Sequence, residues 1–168
     1  MDDKRAMLRH FLAALAYRTQ KALRGAPASF AEFRAAPRVR TPIELVRHME
    51  SVLGYARTLF DGGAYEQRPL PDFDSEVRRF HQTLADIAAR LEAGAPLLAD
   101  FTPERLLQGP LSDAMTHAGQ LAMLRRLAGS PVPPENFLYA EVSPDNLSPE
   151  QPAPVRPGDR RGDWIERE

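Results

Sequence analysis

The 168 residues include 22 basic and 23 acidic side chains, a net charge of −1 and 43 % hydrophobic content, the balance of one globular domain long enough to bury a core. No cysteine is present, which excludes disulfides, thiolate metal sites and a cysteine nucleophile. Charges of both signs are mixed without a like-charge run, which argues against nucleic-acid binding, and no apolar stretch approaches the roughly 20 residues that cross a bilayer.

The N-terminus, Met1-Asp2-Asp3-Lys4, lacks the basic-then-apolar order of a signal peptide, so a cytoplasmic protein is expected. Helical periodicity begins at about Asp3 and runs to Arg24, with Met7, Leu8, Phe11, Leu12, Leu15 and Leu23 as its apolar stripe. Gly25-Ala26-Pro27 stops it. Leu12 and Ala16 are read as apolar residues left over on this helix, for a two-fold interface or for a covering tail, which periodicity does not separate. In the linker that follows, Phe30 and Phe33 are expected to pack against the helices.

The second helix has the clearest start. Thr41 is a natural N-cap, Pro42 suits the first turn, and Glu44 completes a capping box. Leu45, Met49, Val52, Leu53, Ala56, Leu59 and Phe60 continue its buried face up to Asp61-Gly62-Gly63. A third helix is predicted from Asp74 or Ser75 to Gly94, with Val77, Phe80, Leu84, Ile87 and Leu91 at steps of three and four. Thr102-Pro103-Glu104-Arg105 predicts one short helical turn, and a fourth long helix follows from about Pro110 to Ala128.

Four helices of about 18 to 22 residues would each span roughly 27 to 33 Å, which is the geometry of an all-α four-helix bundle. Eight of the 16 prolines lie between Pro131 and Pro157, so the C-terminal segment is expected to be mostly irregular. Its Phe137, Leu138, Tyr139, Val142 and Trp164 suggest that it packs over the bundle. One domain over 1–157 and a loose tail over 158–168 are therefore expected.

Polar residues interrupt the apolar faces at a few places. His48 lies three residues after Leu45 and four before Val52, on the inward side of the second helix. Alone, such a histidine is ordinarily a hydrogen-bonded core residue. On the fourth helix Asp113, His117, Gln120, Leu121 and Leu124 share a face, with Asp113 and His117 stacked about 6 Å apart along the axis. This spacing lets one helix offer two ligands to one ion, and His48 from a facing helix would be the third. Two imidazoles and a carboxylate leave coordination positions open, as in catalytic sites. A buried carboxylate there needs a partner or a cation.

The same residues admit a reading without metal. Asp113 would then be the N-cap of its helix, with His117 hydrogen-bonded to it across one turn. His10 and His81 sit beside apolar stripes and are expected to be structural. No serine stands in an elbow-like motif, so a hydrolytic triad is set aside.

The segment Leu111-Ser112-Asp113-Ala114-Met115-Thr116-His117-Ala118-Gly119-Gln120-Leu121 resembles the fourth helix of the DinB/YfiT-like superfamily. Thr41-Pro42-Ile43-Glu44-Leu45-Val46-Arg47-His48-Met49 resembles its second helix. The resemblance implies a four-helix bundle, frequently a homodimer, with a nickel, zinc or iron ion held by three histidines. It also implies small-molecule substrates, since relatives include transferases and isomerases that use bacterial low-molecular-weight thiols such as bacillithiol or mycothiol. His48 and His117 match two of the ligands, and Asp113 occupies the place of the third, usually histidine. That exchange supplies an anionic oxygen donor on a shorter arm and shifts preference toward harder ions such as Mn²⁺ or Fe²⁺.

Two functions follow. One is a metal-dependent enzyme, a thiol-dependent transferase or hydrolase in which the ion activates water or an external thiol, with Gln120 as a partner that orients a ligand or that water. Tyr55, two turns along from His48, is placed near the same pocket. The other is a non-catalytic small-molecule-binding or stress-response bundle with a degenerate metal site, which the aspartate motivates.

Overall fold

The Asp2 side chain accepts a hydrogen bond from the Arg5 amide at 3.0 Å and opens helix α1, Asp3–Leu23. The computed structural model describes residues 2–155, so the domain limit at 157, the tail over 158–168 and Trp164 lie outside the described residues. Helix α2, Pro42–Asp61, begins with a complete capping box: the Glu44 amide donates to Thr41 Oγ1 at 3.4 Å, and the Thr41 amide to Glu44 Oε2 at 2.7 Å. Helix α3, Phe73–Glu92, starts slightly earlier than its apolar stripe suggests. The reason is Asp72, whose carboxylate accepts from the Ser75 amide at 2.7 Å and makes it the N-cap.

The next boundary is a kink. Helix α4, Pro103–Leu106, leads into a wide π-type turn, Leu107–Leu111, that is interrupted at Gly109; from Pro110, the expected start, the helical path continues into α5, Ser112–Leu127. Pro110 has no amide hydrogen to donate, Gly109 leaves helical geometry (φ −91°, ψ −105°), and Ser112 Oγ donates to the Leu107 carbonyl at 2.7 Å.

Among the described residues every regular element is helical. Helix α1 packs on α3 and α5, and α2 packs on the same two. Their apolar faces meet in a core that includes Leu12, Leu15, Met49, Leu53, Phe80, Leu84, Ile87 and Leu121. Each such side chain contributes roughly 1.5–3 kcal/mol by leaving water. Phe30 is buried in this core and Phe33 packs on its edge. Two expectations for α1 are corrected. Met7 points into solvent, and Leu12 and Ala16 are fully buried within the chain, so neither is left over for an interface.

Two buried polar networks tie irregular segments down. Between α2 and α3, the inaccessible carboxylates of Glu50 and Glu76 meet Arg47 and Arg79, with Arg47 Nε 2.6 Å from Glu76 and Arg79 Nη2 2.5 Å from it. The Leu70 amide donates to Glu76 at 2.7 Å and the Tyr65 hydroxyl donates to Glu50, which fastens the α2–α3 loop. Behind α1, the buried Glu135 carboxylate accepts from the Tyr17 hydroxyl at 2.5 Å and from the Val155 amide at 3.0 Å, and pairs with Lys21 Nζ at 3.1 Å. Arg24 donates to the carbonyls of Gln151 and Pro152, and His81 on α3 meets the Leu147 carbonyl at 2.7 Å. The described C-terminal segment, irregular except for a 3₁₀ turn at Phe137–Tyr139, is thus fixed to α1 and α3.

Candidate metal centre

The α2–α5 seam brings His48, Asp113 and His117 together. The capping box fixes where α2 begins and so sets His48 two turns in, while the π-type turn sets the rotation of α5. His117 Nε2 lies 3.4 Å from Asp113 Oδ1, and His48 Nε2 lies 3.9 Å from Asp113 Oδ2. The two imidazoles meet edge to face with centroids 4.6 Å apart. One ligand-capable atom from each residue falls within 4.8 Å of the others.

Asp113 is not the N-cap of α5. It sits inside a helical path already under way, and its carboxylate accepts no cap hydrogen bond. Nor is it buried. Side-chain exposure is 48 % for Asp113, 31 % for His48 and 10 % for His117, so the cluster opens at the seam instead of lying inside the bundle. Desolvation therefore does not oblige Asp113 to find a cation. The demand comes from His117 instead. Its Nδ1 lies 2.8 Å from Gln120 Oε1. An amide oxygen only accepts, so Nδ1 carries the hydrogen, and whenever the ring is neutral its Nε2 lone pair faces the Asp113 carboxylate. Two acceptors facing each other need a proton or a cation between them.

The donor set fits a divalent ion. With metal–ligand bonds of about 2.1 Å, neighbouring ligand atoms are about 3.0–3.4 Å apart. The His117–Asp113 pair has that spacing at 3.4 Å, and the His48–Asp113 pair at 3.9 Å is slightly wider. Burial lowers the pKa of His48, Arg40 and the neighbouring His117 act in the same direction, and the Asp113 carboxylate opposes them. The net effect favours the neutral, ligating imidazole.

Open grooves lie on either side. One of about 680 Å³ runs past Asp113, Thr116, Ser51, Val52, Tyr55 and Gly109. This explains why Val52, expected on the buried face, is only partly covered, and it puts Tyr55 beside the cluster, half exposed. The second, of about 640 Å³, lies toward the start of α2 and includes Gln120, Leu45, Arg38 and Arg40. Neither arginine stands out in the sequence, because the loop before Thr41 has no periodicity to assign it a face. His10 is exposed on α1, and His81 is engaged with Leu147 on the opposite side; neither joins the cluster. Among the described residues no helix is long and apolar enough to cross a membrane.

Compared with known proteins, the chain matches no family model, no curated protein and no solved structure.

Proposed function

We propose that His48, Asp113 and His117 bind a divalent transition ion and that the protein is a cytoplasmic metal-dependent enzyme of the DinB/YfiT-like superfamily, a thiol-dependent transferase or hydrolase acting on a small molecule and working as a homodimer. The observation that carries this reading is the cluster of three ligand-capable side chains, with His117 Nε2 and Asp113 Oδ1 3.4 Å apart and His48 beside them. A divalent ion there supplies a Lewis acid that makes water or an external thiol nucleophilic near neutral pH. Gln120 holds the His117 ring and its tautomer, leaving Nε2 as the donor atom. Asp113 contributes the negative charge that favours a harder ion such as Mn²⁺ or Fe²⁺ over Ni²⁺ or Zn²⁺. The flanking grooves leave one side of the cluster open to substrate.

The test is metal content by inductively coupled plasma mass spectrometry on untagged protein, beside His48→Ala and Asp113→Ala. About one equivalent in the parent, lost in both variants, supports the reading. No uptake after incubation with Ni²⁺, Zn²⁺, Mn²⁺ and anaerobic Fe²⁺ overturns it.

The exposure of Asp113 favours a second reading, a non-catalytic small-molecule-binding or stress-response bundle whose metal site has degenerated. Under that reading His48→Ala and His117→Ala leave both thermal stability and ligand binding unchanged.

A further inference from the structure

The groove toward the start of α2 differs from its counterpart in charge. Two arginines, Arg38 and Arg40, line it, and no carboxylate does. The nearby acid, Glu44, is already committed: it completes the Thr41 capping box and takes Arg34 Nη2 at 3.2 Å on each of its oxygens. Arg34 also donates to the Val39 carbonyl at 2.5 Å, which pins the loop that presents the two arginines. Arg38 and Arg40 themselves have no hydrogen-bond or ion-pair partner among the described residues.

The backbone at Arg38 lies in the left-handed region, φ +66°, a conformation that side-chain-bearing residues rarely adopt. The loop holds this arginine at the groove edge with no acidic partner among the described residues. The opposite wall is apolar. Met123 and Leu127, both 57 % exposed, stand on α5 with Leu124, facing Leu45 of α2. Gln120 joins this wall to the metal centre, because its amide oxygen is bonded to His117.

We infer that this groove binds the anionic end of an amphipathic small molecule, with a carboxylate, sulfonate or phosphate on Arg38 and Arg40 and an apolar body along Met123, Leu124 and Leu127. Guanidinium groups bind such oxyanions through paired, charge-assisted hydrogen bonds, and a groove of this volume suits a ligand of that size. The inference rests on the proposed metal site only for where the reacting end of the molecule lies. The anion subsite itself requires no metal.

Metal-free protein is titrated with two fluorescent probes, anionic 8-anilinonaphthalene-1-sulfonate and its neutral relative N-phenyl-1-naphthylamine. Arg38→Gln together with Arg40→Gln is expected to weaken the anionic probe about tenfold and the neutral probe less than about twofold. Added salt should weaken the anionic probe alone. Met123→Glu, a change at an exposed position that introduces a carboxylate into the wall, should abolish anionic-probe binding while circular dichroism stays that of the parent. Equal effects on both probes, or no effect of the arginine changes, overturn the inference. Metal uptake measured on separately reconstituted portions of the same variants separates the two readings. Arginine variants that keep the metal but lose the anionic probe, and His48→Ala that loses the metal but keeps the probe, support both. Metal uptake without arginine-dependent probe binding sinks only the anion subsite, and the reverse sinks only the metal site.

Discussion

Gln120 and His117 are bonded across one turn of α5, amide oxygen to Nδ1 at 2.8 Å. A ring held this way has lost its choice of tautomer and most of its rotation before any ligand arrives. Gln120→Ala is expected to weaken metal binding by about 10–100-fold, whereas Gln120→Glu, which keeps an acceptor at the same place, retains it. Competition against a chelator of known affinity measures both. Unchanged affinity in Gln120→Ala would mean that the hydrogen bond does not support the site.

Asp113→His exchanges an oxygen donor for a nitrogen donor while keeping the one-turn spacing to His117. The variant should gain affinity for Ni²⁺ and Zn²⁺ relative to Mn²⁺, in the order that nitrogen ligands impose. Parallel titrations with the three ions test this. An unchanged ranking would show that Asp113 does not reach the ion.

His81 predicts how stability responds to acid. Burial lowers its pKa, against the opposing effects of the Leu147 carbonyl and the charge of Glu150. Nδ1 donates to Leu147 and Nε2 is buried without a hydrogen-bond partner among the described residues, so folding favours the neutral ring. With the folded pKa below the unfolded value, His81 contributes stability that is present above about pH 6.5 and is lost as pH falls through the folded value. The urea midpoint should therefore drop between about pH 7.5 and about pH 5. His81→Gln, which still donates but does not titrate, should flatten that drop.

Gly54 faces the ring of Tyr65, and an added Cβ would lie 2.2 Å from the ring edge. Gly54→Ala must therefore push Tyr65 away from Glu50 and should destabilise the fold by about 1–3 kcal/mol. In a Tyr65→Ala background the same change should cost much less. Additive losses in denaturant unfolding would refute this coupling.

Glu135→Ala should destabilise by about 3–5 kcal/mol, because it strands Lys21 as a buried, unpaired cation and takes the acceptor from Tyr17. Glu135→Gln should cost less, since it keeps an acceptor. Limited proteolysis near Val155 should accelerate in Glu135→Ala; unchanged cleavage would mean that Glu135 does not anchor this segment.

The helices were legible where local chemistry and periodicity agreed. Thr41, Pro42 and Glu44 announce α2 without ambiguity, and the stripe from Val77 to Leu91 describes the buried face of α3. Pro110 opens the last helical path as proline ordinarily does, whereas the wide turn that joins it to α4 across the kink at Gly109 is encoded by no period. The one-turn spacing of Asp113 and His117 was readable, but its exposure was not, since that depends on how deeply α2 and α5 interlock. Glu50 and Glu76 resembled ordinary solvated acids. Their positions could have marked them: Glu50 is four residues after Val46 and three before Leu53, and Glu76 is four before Phe80, so both share a buried face.

The Glu135 lock also bears on how the chain is made. Tyr17 and Glu135 are 118 positions apart, and Arg24 waits for carbonyls 127 and 128 positions downstream. Synthesis makes α1 before these partners, so Lys21 lacks its counter-charge until Glu135 has followed. Contacts of such long range form late. Until the segment around Glu135 and Gln151 is in place, α1 stays a cationic, half-dressed helix open to chaperones and proteases.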